Sequence, residues 1–518
     1  MLLAPRVVPI VALHFSLTGI LLPLTTLTVA LALASSITLA LAVAILSGAP
    51  VDETKPAFLL EPPWRAAGLG AAEKFDEAVR SAPRMVGYLS GDEPLRMYSL
   101  YKQALSGDAP VDSSSGSSLR CRAKLAAWRL QKGRSSDECR TDYVALVDAV
   151  ATRAASSMQR ATAAATSAAR RHRQTPDLRC RVRIIGVGRY LPERVVGNDE
   201  IERRGGFEPG TLVRSRSGVS TRHFAADGER SMAMAAKASL AALDDAGVRP
   251  EDLHAIINAS GTPEQAIPDG GALLQRELGL GASGIRAFTV HATCLSFLVG
   301  LEMACALLHR ADAPEDAAVL IASSEISSRN VDPTDEHCAC LFGDGAAACV
   351  VRRPRRWEAS CMHAARQETY AEGATCTELR GGGTSVDVAD LYTNARRERS
   401  RRESYFSMDG PATLRLVLEH GPGFMERLQP GLSTSLGEIR WVVPHQASGL
   451  ALDAIVDALG WPADRVLRTL PSMGNVIAAS IPLTLHLGIT SGKIKRGDRI
   501  LLMGTGAGLS FGGIVLTY

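Results

Sequence analysis

The chain divides into segments that differ in their pattern of apolar and polar residues. Residues 7–51 contain no Asp, Glu, Lys or Arg, and about 20 apolar residues are enough to cross a bilayer. Within this run, residues 24–47 form the stronger helix because prolines interrupt the part before them. We therefore predict a hydrophobic targeting or transmembrane segment over residues 1–51. A linker rich in proline and glycine follows over residues 52–70.

The next stretch, residues 71–152, has the periodicity of helices. Four apolar-periodic segments are separated by short breaks rich in Gly, Ser and Asp, which predicts a small four-helix bundle. Residues 153–178 continue as an Ala/Arg-rich run without Asp or Glu up to Pro176. We interpret this run as a helical or semi-flexible connector.

The remaining 340 residues, 179–518, alternate short apolar runs with helical stretches. Strands that alternate with helices predict an α/β fold whose sheets are buried and mostly parallel. The size of this region and its repeated texture predict two similar halves, residues 179–356 and 357–518. The apolar runs that we assign to strands are 182–187, 255–258, 317–323, 439–443 and 499–503.

Composition narrows the function classes. Lys and Arg total 57 and Asp and Glu total 54, a net charge of +3 that argues against a nucleic-acid partner. Hydrophobic residues make up 46% of the chain, so a large buried core is possible and wholesale disorder is excluded. Ten cysteines are too sparse for a disulfide scaffold, and no pair of CxxC motifs predicts a metal site. We therefore expect the catalytic part of the chain to function in a reducing compartment, and we predict no bound metal.

One helix of the predicted bundle carries candidate ligand-binding residues. Tyr98, Tyr101 and Lys102 follow the i, i+3, i+4 spacing of a shared helix face. Lys124 and Tyr143 lie on the two following helices. Phenol rings and lysines suit a ligand that has an aromatic base and phosphates, because rings stack on the base and lysines pair with phosphate. A solvated basic face is the alternative interpretation.

This segment resembles the acyl-CoA-binding protein family over about residues 75–150. The resemblance rests on the pattern YxxYKQA, which begins at Tyr98, on the Gly-Asp pair that ends at Asp108, and on Lys124, Trp128 and Tyr143. It implies that Tyr98, Lys102, Lys124 and Tyr143, with Tyr101 beside them, hold the adenine, the 3′-phosphate and the thioester end of an acyl-CoA.

The large domain contains a candidate nucleophile, Cys294. It lies where a strand and a turn lead into a helix, and the positive end of the helix dipole favours a thiolate there. His445 follows a strand, Asn475 precedes an apolar helix, and residues 504–508 form a Gly-rich turn that offers backbone N–H groups. Each residue taken alone could be structural. Together, the three side chains and the turn predict acyl transfer or carbon–carbon condensation.

At this point the domain resembles β-ketoacyl-acyl-carrier-protein synthase III, of the thiolase superfamily, over nearly all of residues 181–518. The resemblance implies a fold of two pseudo-duplicated α/β halves in five layers, normally dimeric, with a Cys-His-Asn triad that falls on Cys294, His445 and Asn475. It assigns the oxyanion hole to the N–H groups of Cys294 and Ala507, and it implies no cofactor. The motifs that carry it include GVGRYLP from Gly186, PTD after Asp332, FGDG from Phe342, VPHQ from Val443 and the Gly-Asn pair ending at Asn475.

The family pattern also locates substrate-binding positions. Arg216 and Arg415 match residues that bind CoA or the carrier protein, and Ile267 lies near the acyl pocket, where its small size favours a longer starter. Three family positions in the CoA tunnel differ here. They are occupied by Leu212, Glu336 and Leu450.

Our leading hypothesis is an acyl-CoA-primed decarboxylative condensation with a malonyl thioester, malonyl-acyl-carrier protein being the expected donor, while the helical module supplies acyl-CoA. The first alternative is an acyltransferase that passes the acyl group to a hydroxyl or an amine. The second is a non-enzymatic, membrane-tethered acyl-CoA sensor. We expect acyl-carrier protein as a partner, a homodimer, and a location at a plastid or endoplasmic-reticulum membrane through residues 1–51.

Overall fold

A computed structural model describes residues 62–65, 68–82, 85, 88–110, 119–171, 180–214, 217–387, 389 and 402–518. The predicted hydrophobic segment and most of the linker lie outside these residues. Within the part that is described, no helix combines the length and apolar character needed to span a bilayer.

The helical module has four helices, as its periodicity predicts. A capping glutamate starts the first, because the Glu73 side chain accepts a hydrogen bond from the Gly70 N–H at 2.9 Å. The last runs unbroken through the predicted boundary at residue 152, so most of the predicted connector is helical. The helices are α1 Ala71–Ser81, α2 Glu93–Ser106, α3 Leu119–Arg129 and α4 Ser136–Arg171.

In its described residues, the first half of the large domain contains seven strands and six α-helices. Its strands are β1 Arg183–Tyr190, β2 Arg194–Gly197, β3 Thr221–Phe224, β4 Leu253–Asn258, β5 Arg286–Thr289, β6 Ala318–Glu325 and β7 Gly345–Arg352. Its helices are α5 Asn198–Gly205, α6 Thr211–Arg214, α7 Ser231–Ala246, α8 Gly270–Glu277, α9 Ser296–Leu308 and α10 Glu336–Ala339.

The second half repeats this organisation on a smaller scale. Its strands are β8 Cys361–Thr369, β9 Thr377–Glu378, β10 Ser407–Met408, β11 Trp441–Pro444, β12 Arg499–Gly506 and β13 Ser510–Thr517. Its helices are α11 Gly410–Leu428, α12 Gly449–Leu459, α13 Leu470–Met473 and α14 Ser480–Thr490.

Each half is built on one main sheet. The first has the order β1-β7-β6-β4-β5 and the second the order β11-β12-β13-β8. Among the strand pairs of the described residues, only β4–β5, β4–β6 and β11–β12 are parallel, so the prediction of mostly parallel sheets was wrong. The short turn between β12 and β13 requires antiparallel pairing, since parallel neighbours need a long crossover.

Five layers result from the way in which helices cover the two sheets. Helices α9 and α14 lie between the sheets, in a core that contains residues from both. Helices α7 and α8 cover the outer face of the first sheet, and α11 and α12 cover the outer face of the second. The candidate nucleophile therefore lies at the beginning of α9, a helix buried in the middle layer.

The helical module packs against the large domain. Leu414 and Leu418 of α11 and Ala454 of α12 belong to the same buried apolar cluster as the core of the module. The Tyr88 hydroxyl of the module lies close enough to Glu419 of α11 for that carboxylate, together with burial, to raise its pKa. The module is therefore held against a surface, whereas a freely moving tethered domain would not share a core with its neighbour.

A disulfide joins Cys180, just before β1, to Cys305 of α9. No spacing pattern in the sequence indicated this pairing, because the two cysteines are 125 residues apart. His309 lies beside them, with its Nδ1 atom 3.7 Å from the Cys180 sulfur. Within the described ranges, these three residues form the one cluster with metal-ligand spacing.

Candidate active site

Cys294 lies in a single 3-10 turn, Thr293–Leu295, that leads directly into α9. The preceding residue, Thr293, has a φ of 51°, which is unusual for a β-branched side chain. The N–H groups of Cys294 itself and of Ala507 approach the Cys294 sulfur and lower its pKa. The predicted oxyanion-hole pair, Cys294 and Ala507, is thus brought together by the structure.

His445 follows β11, as predicted, and its imidazole is 8% exposed. Its backbone N–H donates to the Met503 carbonyl at 2.7 Å, so the strand pairing continues through this residue. Gln446 beside it is buried, and its amide donates to the hydroxyls of Thr469 and Thr484 at 3.1 and 3.0 Å. This network holds the segment that carries His445.

Asn475 is 5% exposed and lies in the segment between α13 and α14. Its backbone N–H donates to Leu341 at 2.8 Å. Its side-chain Oδ1 accepts a hydrogen bond from the Ile477 N–H at 2.9 Å, which leaves the amide NH2 group as a donor. A hydrogen bond with the Ile477 backbone raises the pKa of His445. Ile477 therefore links the two predicted donors.

Two glycines of β12 allow these segments to approach one another. A Cβ atom on Gly504 would lie 2.6 Å from the His445 Cβ, and one on Gly506 would lie 2.5 Å from the Thr293 Oγ1. Both distances are shorter than side chains tolerate, so any larger residue would push β12 away from the nucleophile turn. The Gly-rich motif predicted from the sequence thus serves close packing at the site.

Burial controls the electrostatics of the site. It raises the pKa of the Cys294 thiol to about 12, with a further contribution from the Glu325 carboxylate. We expect the helix dipole to favour the Cys294 thiolate, whereas burial and, to a smaller extent, Glu325 act in the opposite direction. Burial also lowers the pKa of His445 to about 4, and it outweighs the hydrogen bond with the Ile477 backbone, which raises this pKa. The imidazole is therefore neutral at pH 7.

Other predicted residues of the large domain lie apart from this centre. Ile267 is 87% exposed on the loop after β4, so within one chain it lines no buried pocket. Arg415 is exposed on α11, and Arg216 lies outside the described residues.

The five predicted acyl-CoA residues of the module fall into two groups. Tyr98, Lys102 and Lys124 are partly exposed, and the Lys124 ammonium lies 5.3 Å from the centre of the Tyr98 ring. Tyr101 and Tyr143 are 2% and 0% exposed and pack on Phe75. The Tyr143 hydroxyl has no hydrogen-bond partner among the described residues.

Sequence reasoning missed Glu325, at the end of β6. This carboxylate is fully buried, and it accepts hydrogen bonds from the N–H groups of Gly261 and Thr262 at 2.6 and 2.8 Å. Burial raises its pKa to about 8. A charged residue that ends an otherwise apolar strand is a signal in the sequence, because acidic residues are rarely buried without a specific partner.

Family models match three parts of the chain. The N-terminal match is "Acyl CoA binding protein" over residues 72–147. The other two are "3-Oxoacyl-[acyl-carrier-protein (ACP)] synthase III" over residues 288–367 and its C-terminal model over residues 432–518.

Curated relatives extend these matches over the whole large domain. The β-ketoacyl-[acyl-carrier-protein] synthase III of Jannaschia sp. is 34% identical over 335 residues, which cover 64% of this chain and 98% of that protein. The chain belongs to the β-ketoacyl-acyl-carrier-protein synthase III family. The synthase III of Roseobacter denitrificans is 36% identical, with 65% of this chain and 98% of the relative covered.

Solved structures give the same assignment for the fold. The 3-oxoacyl-[acyl-carrier-protein] synthase III of Aquifex aeolicus is 30% identical, with a TM-score of 0.56, and covers 65% of this chain and 100% of its own. The synthase III of Pseudomonas aeruginosa is 29% identical, with a TM-score of 0.57, and covers 65% and 98%.

This synthase III chain therefore joins a thiolase-like domain to an N-terminal acyl-CoA-binding protein domain. It is an acyltransferase of the ketoacyl synthase III type, and its condensation chemistry uses no cofactor. The predicted family and enzyme class are confirmed, and so is a thiolase-like fold that follows an acyl-CoA-binding domain. The roles of individual residues stay predictions.

Proposed function

We propose that Cys294 attacks the thioester of an acyl-CoA, so that a new thioester forms on its sulfur and CoA leaves as the thiol. The approach of the Cys294 and Ala507 N–H groups to the sulfur carries this proposal. They would stabilise the oxyanion that forms on the substrate carbonyl. Because Cys294 rests as a thiol, its proton must leave as the acyl-CoA reacts.

In the second step, a malonyl thioester enters and His445 and Asn475 donate hydrogen bonds to its thioester carbonyl. Loss of carbon dioxide leaves an enolate, which these donors stabilise, and the carbanion attacks the acyl group on Cys294. The product is a 3-oxoacyl thioester.

Malonyl-acyl-carrier protein is the donor that we propose, because the relatives are named for that carrier. Arg415, exposed on α11, and Arg216 would contribute positive charge for the carrier or for CoA. Ile267 would adjoin the acyl pocket only if a second copy of the chain covered it. A homodimer would provide that cover, and the edge strand β5 offers unpaired backbone groups for it.

The module would supply the acyl-CoA. Lys102 and Lys124, beside the rings of Trp128 and Tyr98, present two positive charges for phosphate on the partly exposed face of the module. Attachment to the large domain keeps captured acyl-CoA at a high local concentration near Cys294. Residues 1–51 would place the enzyme at a plastid or endoplasmic-reticulum membrane.

The test is incubation of the full chain with acyl-CoAs and malonyl thioesters, followed by mass spectrometry of protein and products. We expect one acyl group on Cys294, carbon dioxide, and a 3-oxoacyl thioester two carbons longer than the acyl group. Acyl transfer to a hydroxyl or an amine without carbon dioxide would overturn the proposal in favour of an acyltransferase. Binding without acylation would favour a sensor.

A further inference from the structure

The Glu325 carboxylate is surrounded by hydrogen-bond donors on the side that faces the candidate site. The Gly261 and Thr262 N–H groups donate to its two oxygens, and the Thr262 hydroxyl adds a third hydrogen bond. A hydrogen bond from the Ala478 backbone N–H also favours the ionised form of Glu325 and lowers its pKa. One side chain thereby joins the end of β6, the loop after β4 and the segment after Asn475.

Gly261, which Glu325 holds, is wedged between two strained residues. A Cβ atom on Gly261 would lie 2.5 Å from the Ile477 Cγ2 and 3.0 Å from the Thr293 carbonyl oxygen. Thr293 and Ile477, with φ of 51° and 43°, are the only non-glycine residues with positive φ in the described part of the chain. Both are β-branched, so this backbone conformation is costly for them.

Strained backbone of this kind persists only where the surroundings enforce it. Thr293 directly precedes Cys294, and Ile477 donates its N–H to the Asn475 side chain. The backbone conformations of these two strained residues therefore set the orientations of Cys294 and Asn475. Gly261 lies against both strained residues. Whatever fixes Gly261 sets the position of Cys294 relative to Asn475.

We propose that Glu325 is a positioning residue that fixes Gly261 between Thr293 and Ile477. It thereby fixes the position of Cys294 relative to Asn475. The consequence for condensation rests on the proposed function, whereas the effect on the Cys294 thiol does not. When it is ionised, the Glu325 carboxylate raises the pKa of Cys294, but burial raises its own pKa to about 8, so it is largely uncharged at pH 7. The hydrogen bonds that fix Gly261 are present at that pH.

The test is Glu325→Gln in the full chain, with Glu202→Gln as the matched control. Glu202 is also buried and accepts backbone N–H groups, from Gly210 and Leu212, each at 2.8 Å. Two rates are measured for each variant. One is alkylation of the Cys294 peptide by iodoacetamide at pH 9, where Glu325 is charged because its pKa is about 8, resolved by mass spectrometry, and the other is condensation.

We expect the two rates to move in opposite directions in Glu325→Gln. Alkylation should become several-fold faster, because the glutamine lacks the negative charge that raises the pKa of the Cys294 thiol. Condensation should fall about 10²-fold, because a misplaced reacting group costs this much. Glu202→Gln should leave both rates unchanged. If Glu325→Gln behaves like this control, or slows both rates while it melts earlier, the proposal is wrong.

Thr262→Val covers the case in which Glu325→Gln does not fold. It removes one hydrogen bond to the carboxylate and keeps its charge, so we expect condensation to fall several-fold with little change in alkylation. Unchanged condensation in Thr262→Val would overturn the proposal. A failure of the proposed function is distinguishable, since the wild-type chain would then not condense at all while the alkylation rates still report on Glu325.

Discussion

The two candidate sites of this chain are built in opposite ways. At the condensing site, Cys294, His445 and Asn475 come from segments more than 100 residues apart or from different layers, and backbone hydrogen bonds lock the segments together. At the module site, the residues lie on neighbouring helices, and two of the five point into the core. The first site is formed by tertiary structure, and the second by the surface of local helices.

This difference matches the chemistry that each site is proposed to perform. Hydrogen bonds to a developing negative charge are stronger where water is excluded, which burial of His445 and Asn475 provides. Holding CoA phosphates requires positive charges that remain accessible to a large ligand. Lys102 and Lys124 are partly exposed and meet this requirement.

The largest effect should come from Cys294→Ala. Because its sulfur is the proposed acyl acceptor, intact-protein mass spectrometry with acyl-CoA should show no covalent acyl group in this variant. Cys376→Ala is the control, since Cys376 is a free, half-buried thiol outside the site. An acyl adduct that survives Cys294→Ala would show that the nucleophile has been misassigned.

Asn475→Ala should separate the two steps of the reaction. Loss of one hydrogen-bond donor to an oxyanion typically costs about 10²–10³ in rate. We expect a loss of that size in carbon dioxide release from the malonyl thioester, with a much smaller loss in acylation of Cys294. Equal losses in both rates would contradict the enolate role and indicate a general distortion of the site.

Leu418→Asp should loosen the module from the large domain. Removing a buried leucine costs about 2–5 kcal/mol before the burial of a charge is counted, and Leu418 is 2% exposed within the shared cluster. We expect calorimetry to show two separate unfolding transitions where the wild type shows one. Leu240→Asp, at a site 48% exposed, should keep a single transition.

The double variant Lys102→Ala and Lys124→Ala should weaken acyl-CoA binding by about tenfold or more, since each lysine loses a charge-assisted contact. Calorimetric titration measures this, and acylation of Cys294 should slow at limiting acyl-CoA and recover at saturation. Lys74→Ala, which removes a positive charge from α1, is the control and should leave affinity unchanged. Equal acylation rates at every concentration would mean that the module does not supply the site.

The smallest effect concerns pH. The His445 pKa is lowered from 6.5 to about 4 in the folded chain, so between these values the unfolded chain binds a proton that the folded one does not. Stability should therefore fall as pH falls from about 6.5 to about 4. His445→Gln should show a shallower fall in urea titrations at pH 7, 6 and 5. An identical slope in both proteins would contradict a neutral, buried His445.

Local periodicity predicted the helices of the module well, and it was less reliable for the direction of each side chain. Tyr101 and Lys102 lie three and four positions after Tyr98, so they fall on opposite sides of it, about 60° back and 40° forward around the helix. The backward turn takes Tyr101 into the core, while Lys102 stays near the surface. Spacing gives the angle between residues, and only packing decides which of them is covered.

In the large domain, motif order predicted which residues meet, and it could not predict their environment. Cys294, His445 and Asn475 were predicted, but the high pKa of Cys294 depends on burial and on Glu325, which is 31 residues further along the chain. The Cys180–Cys305 pairing and the contact of the module with α11 depend on tertiary packing in the same way. Long-range contacts of this kind leave no periodic trace in a single sequence.

The shared apolar cluster also has a consequence for synthesis of the protein. The module is complete by residue 171, but the helices that cover its outer apolar face begin only at Gly410. At about 5–20 residues per second, a ribosome needs roughly 12–50 seconds to make the intervening segment. For that time the emerging module carries an uncovered apolar surface, which a chaperone must shield if nascent chains are not to associate with one another.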